Sequence, residues 1–298
     1  MDAAIDVRGL RKSYGPHTVL DRLDMTVSRG EVFALLGQNG AGKSTTINIL
    51  TTLESADGGT AVICGDDVAR APGRVKQRIS LTGQSAAVDD VLTGTENLVM
   101  MGRLRGLSTR SARRRASELL EQFDLADAAR GRVGTYSGGM RRRLDLALSF
   151  VATPEVLFLD EPTTGLDTRS RRELWNVIRA LAGGGTTVFL TTQYLEEADQ
   201  LADRIAVLHG GRIVAEGTAT ELKARVGGET LEVHGEDGEV HAVHPTDGTA
   251  AGIRSVLSSL SPDSAAAQIT LRRPTLDDVF LALTGDAPTP DTRMKEIA

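Results

Sequence analysis

Val32-Phe-Ala-Leu-Leu-Gly37-Gln-Asn-Gly-Ala-Gly-Lys43-Ser44-Thr-Thr-Ile-Asn-Ile-Leu50 runs from an apolar pentad through a glycine-rich turn into a helix-like continuation. Its centre matches the phosphate-loop pattern G-x-x-x-x-G-K-[ST], with strand before and helix after, as that motif requires. The glycines let successive backbone N–H groups turn toward one point, a concavity suited to β- and γ-phosphates. Gly37, Gln38, Asn39, Gly40, Ala41, Gly42, Lys43, Ser44 and Thr45 are therefore the candidate phosphate contacts. Lys43 supplies the cation, and Ser44 offers its hydroxyl to Mg²⁺. By itself the loop leaves kinases, GTPases and ATPases open.

Further along stand Tyr136-Ser137-Gly138-Gly139-Met140-Arg141 and Val156-Leu-Phe-Leu-Asp160-Glu161. With these residues the chain resembles the ABC-type ATPases from about Val7 to about Thr220. Ser137-Gly-Gly-Met-Arg looks like their signature motif and Asp160-Glu161 like their Walker B end. Gln84, in Leu81-Thr-Gly-Gln-Ser85, matches the Q-loop, and Pro162-Thr-Thr-Gly-Leu-Asp167 resembles the D-loop region. The resemblance implies an α/β P-loop NTPase fold with an antiparallel β subdomain and a helical subdomain. It also implies ATP and Mg²⁺ as ligands. Asp160 would hold the metal through its water shell, Glu161 would act as general base, and Gln84 would ligate Mg²⁺ or position water. Asp167 would help couple two sites. Ser137, Gly138 and Gly139 would face the γ-phosphate bound by a second copy of the chain, through the N–H groups of a helix end.

One position departs from the usual pattern. Most of these ATPases carry histidine after the strand Thr187-Val-Phe-Leu-Thr-Thr192, where Gln193 stands here. A glutamine N–H still donates to a phosphate, but it cannot relay a proton at neutral pH. Proton transfer would then fall to Glu161 and ordered water, with weaker hydrolysis as a consequence. Gln193-Tyr-Leu-Glu-Glu-Ala-Asp-Gln-Leu-Ala-Asp-Arg-Ile205 and Pro274-Thr-Leu-Asp-Asp-Val-Phe-Leu-Ala-Leu-Thr-Gly285 resemble the daunorubicin/doxorubicin-resistance export ATPases. That branch implies a peripheral subunit on the cytoplasmic face of the membrane. It would be dimeric when working and docked to a separate permease, with drug efflux as the outcome. Two other readings stay in view: a soluble ABC ATPase acting on a cytosolic complex, and a non-hydrolysing regulatory cassette.

The chain has 298 residues and a net charge of −6, which points away from nucleic acid as a partner. One cysteine, Cys64, leaves no intramolecular disulfide. Met1-Asp-Ala-Ala-Ile-Asp has neither the basic start nor the apolar stretch of a secretory signal. No apolar run approaches the roughly 18–20 residues that span a bilayer, so any membrane path must belong to another chain.

Three domains are expected: an ATP-binding domain over 1–222, a small α+β accessory domain over 223–285, and a disordered tail over 286–298. Ile5–Leu10 and Val19–Val27 alternate like strands. Tyr14 lies between them, either stacking on adenine or serving as a turn tyrosine. The segment 88–134 reads as helical, with capping-box spacing at Thr93-Gly-Thr-Glu96 and apolar positions at Leu98, Met101, Leu104, Leu119, Leu120 and Phe123. Its arginines, 103 through 115, read as a solvated face or as a contact for acidic or phospholipid groups near a membrane partner. Arg141, Arg142 and Arg143 oppose the macrodipole of the helix they enter. They imply either an anion-attracting role or ion pairs with acids elsewhere. In the accessory domain, strands at 230–234, 239–244 and 268–272 and helices at 252–260 and 274–283 are expected, the last capped by Thr275 and Asp278. His234, His241 and His244 read as surface strand histidines.

Overall fold

The apolar runs read as strands form the centre of the protein in a computed structural model that describes residues 3–83, 87–235, 239–260 and 267–285. Two compact units divide between Glu216 and Gly217. The expected tail over 286–298 lies outside the described residues.

The first unit opens with a long hairpin, β1 (Ala3–Tyr14) and β2 (His17–Ser28), followed by β3 (Val32–Leu36) and α1 (Lys43–Leu50). Next come β4 (Gly58–Ile63), β5 (Asp66–Asp67), α2 (Pro72–Arg78) and β6 (Ile79–Thr82). The segment expected to be helical holds α3 (Gly94–Leu104), α4 (Thr109–Gln122) and a single 3₁₀ turn at Val133–Thr135. The remainder is α5 (Gly138–Ser149), β7 (Val156–Asp160), α6 (Thr168–Gly183), β8 (Thr187–Thr192), α7 (Leu195–Leu201), β9 (Arg204–His209) and β10 (Arg212–Gly217).

These strands sort into two sheets. One is antiparallel, in the order β2-β1-β4-β5, and the other has six strands in the order β10-β9-β3-β8-β7-β6. Within the second, β9, β3, β8, β7 and β6 pair in parallel. Every residue of β3, β7 and β8 is buried, as a parallel sheet covered on both faces requires. Register brings Phe33, Phe189 and Phe158 side by side, with ring centroids 5.6 and 5.5 Å apart. Each such ring removes enough apolar area from water to contribute about 1.5–3 kcal/mol. The same register aligns the exits of the strands, pairing Leu36 with Thr192 and Asp160 with Thr191. Loops after these strands therefore meet at one edge, where ligands of open α/β sheets bind.

In the helical segment Thr93 and Glu96 form the expected reciprocal cap of α3. Leu98, Leu119, Leu120 and Phe123 are buried, but Leu104 is 75% exposed. It ends α3 one residue before the C-cap Arg105.

The second unit contains α8 (Ala219–Ala224), β11 (Glu229–His234), β12 (Val240–Thr246), α9 (Ala250–Ser259), β13 (Gln268–Arg272) and α10 (Leu276–Thr284). Its strands form an antiparallel sheet in the order β12-β11-β13. Leu231 and Val233 are buried on β11, and Leu222, Leu276 and Val279 are buried on the helices α8 and α10, which pack together. Thr275 and Asp278 cap α10 reciprocally.

Candidate active site

Gly42 sits at φ 108° immediately before α1, so the chain can turn there only without a side chain. A Cβ on it would also lie 2.7 Å from Leu20 Cδ2. The loop that follows β3 is thus pressed against β2, and a cavity of about 330 Å³ opens over it. Val19, Asn39, Gly40, Gly42, Lys43, Ser44, Thr45 and Glu161 line this cavity. No residue of 137–139 is among its lining.

Lys43 is only 4% exposed and its ammonium is answered from several sides. Nζ donates to the carbonyls of Gly37 at 2.9 Å and Gln38 at 3.1 Å, and lies 3.1 Å from Glu161 Oε1. Asp160 ends β7, and its Oδ1 accepts from Ser44 Oγ at 3.2 Å and from Thr191 Oγ1 at 2.6 Å. Glu161 then turns back sharply, at φ 47°, a left-handed conformation that a side chain rarely adopts. Its N–H is held by both the carbonyl and the hydroxyl of Thr191, at 3.1 and 3.2 Å. Thr191 therefore braces the Asp160 carboxylate and the backbone of Glu161, a role that sequence reading missed. The signal was present in the pair of threonines ending the apolar run Thr187–Thr192.

A hydroxyl and a carboxylate oxygen converging beside a phosphate loop suit a hard, oxygen-seeking cation such as Mg²⁺. That ion needs only one or two carboxylates besides the phosphates it bridges. Gln84, read as a further ligand, lies outside the described residues, although Gly83 and Ala87 on either side are described. Gln193 follows β8 and is half-buried.

Tyr14 ends β1 at the turn and is 47% exposed. Its hydroxyl lies 2.6 Å from both carboxylate oxygens of Glu54, and Lys12 Nζ sits 5.2 Å from the ring centroid. The hydrogen bond to Glu54 pushes the phenol above its usual range. It also holds the Glu54 carboxyl below the usual carboxylate range.

At the start of α5, Ser137 accepts from Met140 N as the N-cap, and both Ser137 and Gly138 face solvent. Gly139 is buried because α6 passes close by: a Cβ there would lie 2.7 Å from Ser170 Oγ. Asp167 caps α6 by accepting from Ser170 N at 2.7 Å, and that bond holds its carboxyl below the usual range. The three arginines that follow do not crowd the first turn, since Arg141 is the fourth residue of α5. Each is paired with an acid, Arg141 with Asp90 at 3.1 Å, Arg142 with Asp145 at 3.1 Å and Arg143 with Asp124 at 2.9 Å. Ion pairing thus accounts for the run. Arg103, Arg105, Arg110, Arg113 and Arg114 are solvent-exposed, while Arg115 donates to the Phe150 carbonyl at 2.8 Å.

Glu197 of α7 is fully buried and accepts from Trp175 Nε1 at 3.3 Å. Burial pushes its carboxyl above the usual range. His234 Nε2 lies 3.8 Å from Glu232 Oε2, two residues earlier on the same strand. No cluster of three or more His, Cys, Asp or Glu suited to a metal occurs among the described residues. No helix among them is long and apolar enough to cross a membrane.

Comparison with known proteins agrees with this geometry. Residues 20–164 match the ABC transporter family. A daunorubicin resistance ATP-binding protein of Streptomyces coeruleorubidus is 52% identical over 318 residues, covering 100% of this chain and 99% of that protein. The daunorubicin/doxorubicin resistance ATP-binding protein of Streptomyces peucetius is 50% identical, covering 99% of this chain and 96% of that one. Among solved structures, an ATP-binding subunit of an ABC transporter superposes with a TM-score of 0.65 at 29% identity, over 74% of this chain and 92% of that one. The chain belongs to the ABC transporter family, as an ATP-binding, ATP-hydrolysing subunit grouped with the daunorubicin/doxorubicin resistance proteins.

Proposed function

We propose that this chain powers an exporter, coupling ATP-driven closure of two copies to efflux of a drug-like, hydrophobic compound through a separate membrane permease. The observation that carries this reading is likeness along the whole length, both units included, to proteins named for daunorubicin resistance. A cassette serving a cytosolic complex has no comparable support.

In the proposed cycle the ATP phosphates enter the loop over residues 37–45 and take Lys43 away from Glu161. Ser44 and Asp160, already 3.2 Å apart, hold Mg²⁺. When bound, that ion neutralises charge on the phosphate oxygens. Tyr14, anchored through Glu54, stacks on adenine. Gln193 donates an N–H toward the γ-phosphate. The N-terminal end of α5 in a second copy, Ser137 to Gly139, closes the site from the other side, and Asp167 lies in the segment between the paired sites. Glu161, released from Lys43, accepts the proton of the attacking water as its oxygen bonds to phosphorus and the bond to the β-phosphate oxygen breaks. Gln193 carries no proton in this scheme, so Glu161 acts alone as base.

The test is purification of the tagged chain from detergent-solubilised native membranes, followed by mass spectrometry. A stoichiometric polytopic membrane protein is expected. Recovery only from the soluble fraction, with ribosomal proteins or with no partner, would overturn the exporter.

A further inference from the structure

Arg142 and Asp145 lie three residues apart on α5, 6% and 4% exposed, outside the cavity over the phosphate loop. Their bonds reach three separate segments. Arg142 Nε donates to the Pro162 carbonyl at 2.8 Å, in the turn directly after Glu161. Nη1 donates to the Gly83 carbonyl at 2.7 Å, where the chain leaves β6, and to Asp145 Oδ2 at 3.1 Å. Asp145 Oδ1 accepts from Ala87 N at 2.9 Å. One ion pair thus takes hold of the backbone at 83, at 87 and at 162, and ties all three to the helix that begins with Ser137 and Gly139.

Stability alone is a poor account of this arrangement. Burial of an ion pair is costly, and packed apolar residues often replace one with no loss. Burial pushes the Asp145 carboxyl up, opposed by the Ala87 N–H and by Arg142. Arg142 Nη2 is itself buried without a hydrogen-bond partner among the described residues. What the planar, forked guanidinium provides is direction: two carbonyls from different loops are held at fixed angles on one rigid group. The far end of α5 is tied to the same strand, where Ser80 Oγ donates to the Ser149 carbonyl at 2.7 Å.

We propose that Arg142 and Asp145 are positioning residues for ATP hydrolysis, a clamp that makes the turn bearing Glu161 and the backbone at 83 and 87 move together with the signature helix. This rests on reading the site as half of an ATP sandwich. The clamp touches no nucleotide. It transmits displacement of the Glu161 turn to Ser137–Gly139, and the reverse.

The experiment compares the full parental chain with Asp145→Asn, Arg142→Lys and the neutral pair Arg142→Gln/Asp145→Asn, reading ATPase kcat, KM and the thermal midpoint. Lys43→Ala serves as the control. The neutral pair leaves no lone buried charge, so it is expected to fold and to keep KM within about twofold of the parent. Its kcat is expected to fall about 10- to 100-fold, the effect of a displacement away from the chemistry. Arg142→Lys keeps the charge but lacks the fork, and is expected not to restore kcat. Parental kcat in the folded neutral pair overturns the clamp. Should that pair fail to fold, Arg142→Lys decides, because it keeps the charge beside Asp145 but lacks the fork that holds both carbonyls; parental kcat there overturns the clamp equally. A parental chain hydrolysing no faster than Lys43→Ala would instead overturn the reading of the site, and the clamp with it.

Discussion

Lys43 is held by two loop carbonyls and a carboxylate in a cavity bounded by β2, α1 and the end of β7, whereas Ser137 and Gly138 face solvent at the start of α5. Both regions are helix N-termini with glycines, yet one is enclosed and the other open. The enclosed half owes its shape to the parallel sheet, whose register delivers the phosphate loop, Asp160 and Thr191 to one edge. The open half has its cap satisfied internally by Ser137 and borders no cavity of its own loop. We propose that this helix end, which does not line the cavity over its own phosphate loop, faces the phosphates held by a second copy.

The sharpest way to break this contrast is Ser137→Arg, which blocks the open half and leaves the enclosed half untouched. Monomer affinity for a fluorescent ATP analogue should stay within about twofold, while kcat falls at least about 100-fold, the size of effect seen when aligned donors to a developing charge are removed. Equal loss of binding and turnover would mean that Ser137 serves its own phosphate loop. A smaller effect is expected at the rim of the enclosed half. Tyr14→Ala removes a stacking surface worth about 1–3 kcal/mol, so KM for ATP should rise about 10-fold with kcat little changed. An unchanged KM would reduce Tyr14 to a turn residue held by Glu54.

The smallest effect concerns the buried carboxyl of α7. Glu197 has a folded pKa raised above its usual 4.5 by burial. The stability linked to its proton is fully present below that value and is lost as pH rises through the folded pKa. Glu197→Gln removes this loss. Urea unfolding should show the variant gaining on the parent as pH rises above the usual carboxylate range. A difference independent of pH would mean that the carboxyl titrates normally.

The strands β3, β7 and β8 were legible because continuous apolar runs next to turn residues have few other destinations. Their order in the sheet placed Gly37 to Ser44 and Asp160 together as expected. Both capping boxes, at Thr93 and Thr275, were legible because their partners lie three residues away. A third, Thr218 with Glu221, carries the same pattern and starts α8 inside the second unit, which begins at Gly217. What local pattern could not reveal is long-range pairing. Glu54 reaches Tyr14 across 40 positions, and Arg142 reaches Gly83 across 59. The arginine run looked like an affront to the helix dipole because Asp90 and Asp124, the partners of Arg141 and Arg143, are brought beside it only by the fold.

The central claim, that the site is completed by a second chain and fired by Glu161, is tested most directly with Glu161→Gln. Its mass would be measured by light scattering with and without ATP, alongside phosphate release. The account expects turnover lost by at least about 100-fold, together with a shift from monomer to dimer that requires ATP and vanishes when Ser137→Arg is added. A variant that stays monomeric at saturating ATP, or that hydrolyses at the parental rate, would contradict it.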